Sequence, residues 1–460
     1  MKVTTENNII IEKNKRYKVE IETLGTNGEG IGRIDGFTVF IEGALPGETI
    51  DALMLKVNKN YGYAKIVEIE KISDNRSEPR CKYYKKCGGC NLQHIKYEYQ
   101  LEFKKDKVKY NLERIGGFDG INVNDTIGAK DNIHYRNKAQ FPVGGTSEKS
   151  LIGFFRPRSH NIEDIDECII QHPKTKEIVE KMREYMRETK VMPYDENSHT
   201  GIIRHILTRI GYKTGEIMVC IIINGNKLPK SDVLVDKLLE VGNVTSISFN
   251  VNKEKTNVIM GDKICMLYGK PYITDKLGEL SFEISPLSFF QVNPVQTEIL
   301  YNTALGFADI SDSDIVIDAY CGIGTISLFL AQKAKKVYGI EIVEDAIKDA
   351  KRNAEINSID NAEFIVGKSE EVIPMMYKEN GIKADVVVVD PPRKGCDAAL
   401  IDVICDMSPE RIVYVSCDSA TLARDLKQFC CEKYKIEKVT PVDQFCQTSH
   451  IETAVLLSRK

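Results

Sequence analysis

Four stretches of the chain hold reactive residue types at spacings that packing alone does not explain. In "IVYVSCDSATLARD", Ile412 to Asp425, a β-branched and aromatic run ends on Cys417 and passes into a segment that reads as a helix. A thiol at such a point is most often a small buried hydrophobe, so the reason to read Cys417 as a nucleophile has to come from elsewhere in the chain. In "VVVVDPPRKGC" two prolines follow four valines and keep Asp390 out of any helix, presenting its carboxylate in a fixed direction. In "QTSHIETAVLL" Glu452 stands where the chain turns apolar, and an acid facing a core there has a raised pKa and can act as a base near neutral pH. In "CKYYKKCGGC" the thiols of Cys81, Cys87 and Cys90 are spaced C-x5-C-x2-C. Thiolates so close repel one another, which makes shared coordination the economical explanation. With the distant Cys168 of "DIDECIIQHP" they suit a closed four-thiolate site for iron-sulfur or for zinc, and Gly88 and Gly89 let the backbone approach an inorganic core.

Residues of this kind act together only if a scaffold brings them together. From 281 to 460 the chain alternates strand and helix, the pattern of a doubly wound parallel sheet. "DIVIDAYCGIGTISLFLAQKA" reads as strand, glycine turn and helix; "KVYGIEIVEDAIKDAKRNAEIN" as a second strand ending in an acid; "ADVVVVDPPRKG" and "RIVYVSCD" as later strands. Ligands of open α/β sheets bind beyond the carboxyl ends of the strands. Asp318, Tyr320, Gly322, Gly324, Glu341, Asp390 and Cys417 all fall at such ends, and that coincidence lifts Cys417 out of the packing explanation. Gly322 and Gly324 permit a tight turn, and Glu341 is placed to accept hydrogen bonds from two ribose hydroxyls. Ser327 stands where a dinucleotide fingerprint has its third glycine. A nucleoside without phosphates, such as S-adenosylmethionine, therefore fits better than a dinucleotide.

The remainder of the 460 residues divides in two. Residues 1–73 read as short β-branched strands between turn signals such as Asp35-Gly36 and Pro46-Gly47, a small barrel of the OB kind, a recurrent oligonucleotide binder. Gly28, Gly30 and Gly32 precede a strand, which excludes a phosphate loop. Residues 74–280 mix strands and helices in an α/β module around the cysteine site. Net charge is −4, so an argument for nucleic acid has to be local. Between Arg76 and Arg114 lysine and arginine interleave with tyrosine and phenylalanine, cations for phosphates and rings for stacking. The 13 cysteines, an odd number in a chain too long to need disulfides, read as reduced thiols. With no membrane-spanning run and no signal peptide the expected location is the cytoplasm. A monomer is the expectation, although nothing in the residues fixes the oligomeric state.

Together these motifs resemble the RNA uracil-5-methyltransferase family over nearly the whole chain. The first segment looks like the TRAM module, the cysteines like the family's [4Fe-4S] site and the last segment like its S-adenosylmethionine-binding domain. TRAM plus cluster is more similar to the branch that modifies 23S ribosomal RNA than to the transfer-RNA branch. The resemblance implies that "SFFQVNP", "DAYCGIGT" and "GIEIVEDA" place Gln291, Tyr320 and Glu341 at the methyl donor, that "DPPRKG" places Asp390 near donor and base, and that "VSCDSATLARDL" makes Cys417 the nucleophile. It puts Glu452 at the general base and Arg136 of "HYRNKAQF" near the RNA or a hinge. Cys446 departs from the proline common in relatives. The expected substrate is a uridine in a single-stranded or loop region of 23S RNA. Cytosine-5 methylation, or RNA binding without catalysis, are the competing readings. A radical enzyme is excluded, because C-x5-C-x2-C plus a fourth ligand leaves no open iron.

Overall fold

The computed structural model describes residues 2–4 and 9–460, and they fall into two compact units: Met1–Lys107 with Gln447–His450, and Val108–Cys446 with Ile451–Lys460.

In the first unit Arg16–Leu24, Gly30–Ile34, Phe37–Glu42, Thr49–Val57 and Tyr61–Lys71 close into a five-stranded barrel. Alternation along each strand points Val19, Ile21, Val39, Ile41, Ile50, Ala52 and Met54 inward and leaves charged residues in water. Gly30 and Gly32 lie within a strand, as expected for glycines that are not a phosphate loop. A Cβ on Gly32 would meet Glu20 O at 2.2 Å, so close strand approach explains this residue.

In the second unit two seven-stranded sheets are present. One orders Ile162–Asp164, Ser150–Phe155, Lys138–Gly145, Ile203–Ile210, Ile217–Ile223, Val244–Val251 and Lys263–Gly269. All its neighbours are antiparallel except Ile217–Ile223 and Val244–Val251, which helix Ser231–Leu239 connects. The other sheet contains β1 (Ile315–Asp318), β2 (Lys336–Glu341), β3 (Ala362–Val366), β4 (Val386–Val389), β5 (Arg411–Ser416), β6 (Tyr434–Val442) and β7 (Glu452–Arg459). Its order is β3-β2-β1-β4-β5-β7-β6, with the first five strands parallel and β7 antiparallel to both neighbours. The helices are α1 (Pro294–Ala308), α2 (Thr325–Ala331), α3 (Glu344–Ile356), α4 (Ser369–Lys378), α5 (Ala398–Met407) and α6 (Ser419–Glu432). Both faces of the sheet are buried, which is why β4 is four valines: Val386 and Val388 join one core cluster, Val387 and Val389 the other. No helix among the described residues is long and apolar enough to cross a membrane.

Candidate active site

Asp318 is the last residue of β1, and the chain then turns through Gly322 and Gly324 into α2. Both glycines have positive φ, +54° and +85°, a conformation costly for a side-chain-bearing residue. They differ in surroundings: a Cβ on Gly324 would press on Phe364 at 3.2 Å, whereas one on Gly322 would meet nothing within 4 Å. Open space over a left-handed glycine is what a ligand lying on the turn requires. Ser327, in place of a third glycine, is fully buried and donates to Asp318 Oδ2 at 2.6 Å, while Tyr320 N donates to Asp318 Oδ1 at 3.2 Å. Burial still pushes the Asp318 carboxyl up to about 6, the Glu341 charge adding to it.

Glu341 ends β2 and is half-buried, its Oε1 accepting the Val343 N–H at 3.0 Å. Ile342 and Val343 beside it are exposed, an apolar shelf next to an acid, suited to a nucleoside's ring and ribose. Tyr320 packs its ring on the core with its hydroxyl beside Cys396, and burial raises its pKa. Gln291 lies in the segment before α1. Its carbonyl accepts from Asn137 Nδ2 at 3.1 Å and its Oε1 from Gln444 Nε2 at 3.5 Å.

The other strand ends form the reactive cluster. Asp390 follows β4 directly and Cys417 follows β5 directly, just ahead of the Asp418 cap whose carboxylate accepts Ala420 N at 2.9 Å and Thr421 N at 3.0 Å. Because β7 is antiparallel to β5 with Thr453 opposite Ser416, its first residue, Glu452, begins at the edge where β5 ends. Glu452 is buried, and its Oε2 has no hydrogen-bond partner. A buried carboxylate oxygen without a partner is costly and marks a position meant for a ligand or a proton.

Electrostatics join the three groups. Burial pushes the Cys417 thiol up to about 12; the carboxylates of Glu452 and Asp390 add to this and Arg393 opposes it. Burial, then Asp390, holds the Glu452 carboxyl well above the usual range, again with Arg393 opposing. Burial and the charge of Asp318 lift Asp390 to about 7. Burial and the acids Glu452 and Asp390 therefore favour the protonated thiol of Cys417 in the free protein. Sequence reasoning missed Arg393, the cation of this cluster, although it stands inside "DPPRKG". It also missed Tyr301, buried, with its hydroxyl 3.1 Å from Thr325 Oγ1 and its pKa raised by burial and then by Asp390.

Other expected residues have contacts of their own. Arg136 pairs through its backbone with Ile170 and His172. Cys446 is buried and its carbonyl accepts the Tyr135 hydroxyl at 2.9 Å. Cys81, Cys87 and Cys90 belong to the first unit and Cys168 to the second, all partly exposed. Cys87 Sγ accepts the Gly89 N–H at 3.3 Å. Among the described residues no three His, Cys, Asp or Glu side chains are gathered to hold a metal ion.

Comparison with known proteins agrees with this geometry. The model of the tRNA (uracil-5-)-methyltransferase family matches residues 96–460, and that of the TRAM domain residues 12–67. An uncharacterized RNA methyltransferase of Clostridium tetani is 51% identical over 451 residues, 98% of each chain. One from Clostridium acetobutylicum is 49% identical, also over 98% of each. A solved structure, the tRNA (uracil-54, C5)-methyltransferase of Pyrococcus abyssi in complex with S-adenosyl-L-homocysteine, superposes with a TM-score of 0.76 at 29% identity, covering 96% of this chain and all of that one. Fold, strand-end cluster and relatives agree: this chain belongs to the uracil-5-methyltransferase family of S-adenosylmethionine-dependent RNA methyltransferases.

Proposed function

We propose that the protein methylates carbon 5 of a uridine in a single-stranded or loop region of 23S ribosomal RNA, with Cys417 as nucleophile and Glu452 as base. The observation that carries this reading is the meeting of a thiol and an unpartnered buried carboxyl at one sheet edge, beside a glycine turn open above Gly322. Glu341, Asp390, Gly322, Tyr320 and Gln291 would hold the methyl donor, the open turn and apolar shelf suiting a nucleoside without phosphates. S-adenosylmethionine supplies an electrophilic methyl group there.

Carbon 5 of uracil is a weak nucleophile. Cys417 Sγ bonds to carbon 6 as the thiol passes its proton to water, and the ring becomes an enolate with electron density at carbon 5. Once carbon 5 carries the methyl group, Glu452 takes its proton, and the released electron pair expels Sγ from carbon 6. A carboxyl with a raised pKa is matched to that transfer near neutral pH. The base has to leave its stack to expose both faces, at a cost of about a few kcal/mol that an unpaired region lowers.

The rest of the reading follows the three segments 1–73, 74–280 and 281–460: a TRAM barrel that grips RNA, a cysteine-bearing module and the catalytic domain of a cytoplasmic enzyme. Cys81, Cys87, Cys90 and Cys168 are proposed as [4Fe-4S] ligands on their spacing, the family resemblance and the N–H aimed at Cys87 Sγ. Anaerobic purification is expected to yield a brown protein with about four irons per chain, and a colourless zinc protein would replace the cluster with zinc.

The deciding experiment is transfer of labelled methyl from S-adenosylmethionine to unmodified 23S, 16S and transfer RNA transcripts, followed by digestion to nucleosides. The expected label is 5-methyluridine from 23S RNA, lost in Cys417→Ala. Label in transfer RNA instead would favour the second reading, a tRNA enzyme, which the Pyrococcus abyssi likeness supports. Label in 5-methylcytidine would overturn both.

A further inference from the structure

Three cations lie together in the second unit, two on its first sheet and one just before the strand that begins at Lys138. Lys138 and Arg209 are direct register partners on adjacent antiparallel strands, so their side chains leave the same face. Arg136 stands two residues before Lys138 and is close enough to depress its pKa. Arg209 is 2% exposed, whereas Lys138 and Arg136 keep partial exposure. None of the three has an ion-pair partner among the described residues. Arg209 donates one bond, to Ser288 O, and its Nε has no partner at all.

Such an arrangement is expensive. Buried charges in native proteins are paired or coordinate something, and like charges on directly opposed residues of neighbouring strands repel. Burial, then Arg209 and then Arg136, lowers the Lys138 pKa to about 7. A structural role would be served better by an apolar or paired side chain at each position. An anion that arrives with the substrate accounts for all three residues. Neighbouring contacts tie the cluster to the proposed donor segment: Arg209 to Ser288, and Asn137, adjacent to Lys138, to Gln291 O at 3.1 Å.

We propose that Arg136, Lys138 and Arg209 form an anion site that takes a backbone phosphate of the RNA close to the target nucleotide. Arg136 and Lys138 contact the phosphate, and Arg209 beneath them supplies charge that water does not screen. The proposal rests on the reading of the chain as an RNA enzyme. It adds a grip on the substrate backbone that is separate from the reacting cluster.

The test uses the full-length protein and Lys138→Gln, with affinity for 23S and transfer RNA transcripts measured across a salt series and affinity for S-adenosylmethionine measured without RNA. Lys138→Gln is expected to weaken binding of the preferred transcript about tenfold and to lower the slope of log affinity against log salt by about 0.7, one single-strand phosphate contact. Donor affinity stays unchanged, and Lys138→Arg restores RNA binding. Arg136→Gln, whose side chain is partly exposed, repeats the measurement should Lys138→Gln fold poorly. An unchanged slope and affinity in both variants would overturn the proposal. So would weakened donor binding with RNA binding intact, which would assign the site to the donor's carboxylate. Wild-type protein showing the Lys138-dependent slope while transferring no methyl group would sink the methylation reading and leave the phosphate site standing.

Discussion

The hydroxyl of Tyr414 donates a 2.7 Å hydrogen bond to Asp425 Oδ2 in the interior of the second unit. The same oxygen accepts the Cys396 N–H at 2.8 Å, and Arg424 joins Asp425 Oδ1 to Lys394 O. One carboxylate thus fastens the end of the Asp390–Cys396 loop to α6 and to β5, the two elements that flank Cys417. Asp425→Ala leaves buried donors unanswered and is expected to cost about 2–4 kcal/mol of stability. Methyl transfer should fall further than the loss of folded protein explains, because Asp390 and Arg393 lose their support. Tyr414→Phe, which removes one donor of several, should cost about 1 kcal/mol. Denaturant melts together with initial rates at a temperature where each variant is folded separate the two effects.

On the proposed mechanism, removing the Glu452 carboxyl while leaving the Cys417 thiol in place should stall the reaction after the thiol has bonded to the ring. Glu452→Gln is expected to slow turnover by about 10²–10⁴-fold and to accumulate a protein–RNA adduct that survives denaturing electrophoresis. Cys417→Ala should give neither product nor adduct. Adduct formation by Cys417→Ala would remove the nucleophile assignment.

The raised acids make the free protein sensitive to alkali. Asp390, near 3.8 in an unfolded chain and about 7 here, holds its proton in the native state across that interval while the unfolded chain has released it. Its contribution is fully present below about pH 4 and is lost as pH rises through about 7. Asp318, lifted to about 6, acts in the same direction. Asp390→Asn should therefore stabilise the free protein at pH 8, by about 1–3 kcal/mol, with the advantage vanishing near pH 4. Thermal melts at pH 4, 6 and 8 check this, and a variant that is less stable at pH 8 would contradict the buried-acid account.

The two glycines of the turn should respond differently. Gly324→Ala combines a left-handed backbone with a Cβ 3.2 Å from Phe364 and is expected to destabilise by about 1–2 kcal/mol. At Gly322 the added methyl meets only open space, so the penalty is backbone alone, about 1 kcal/mol. Donor affinity, measured by calorimetry, should nevertheless fall at least tenfold in Gly322→Ala. Unchanged affinity would move the donor off this turn.

What was legible in the sequence and what was not follows from the range of each interaction. β1 and β4 announce themselves as unbroken apolar runs because both faces of the sheet are covered, and the residues at their ends, Asp318 and Asp390, follow from that. Ser327 was readable as a departure from a glycine fingerprint, but not as the donor to Asp318. Glu452 was legible as an acid in an apolar stretch; its meeting with Cys417 depends on the antiparallel insertion of β7, a pairing no local pattern encodes. The sheet that begins at Lys138 has partners more than sixty residues apart, such as Lys138 and Arg209, so its order was unreadable. Cation clustering across that pair was invisible for the same reason. With the cysteines, spacing reported closeness along the chain and was silent on closeness in space.

The position of β7 bears on how the molecule is made. Within its sheet β6 lies at the end of the order, beside β7, and β7 follows every other strand of that sheet in sequence. Until β7 arrives, β5 presents an unpaired apolar edge, the kind of surface that invites wrong association during folding. The same docking event that closes this edge delivers Glu452 to Cys417. On the proposed mechanism, competence for catalysis and protection of that edge would be acquired together, because a chain lacking β7 would carry the Cys417 thiol without Glu452.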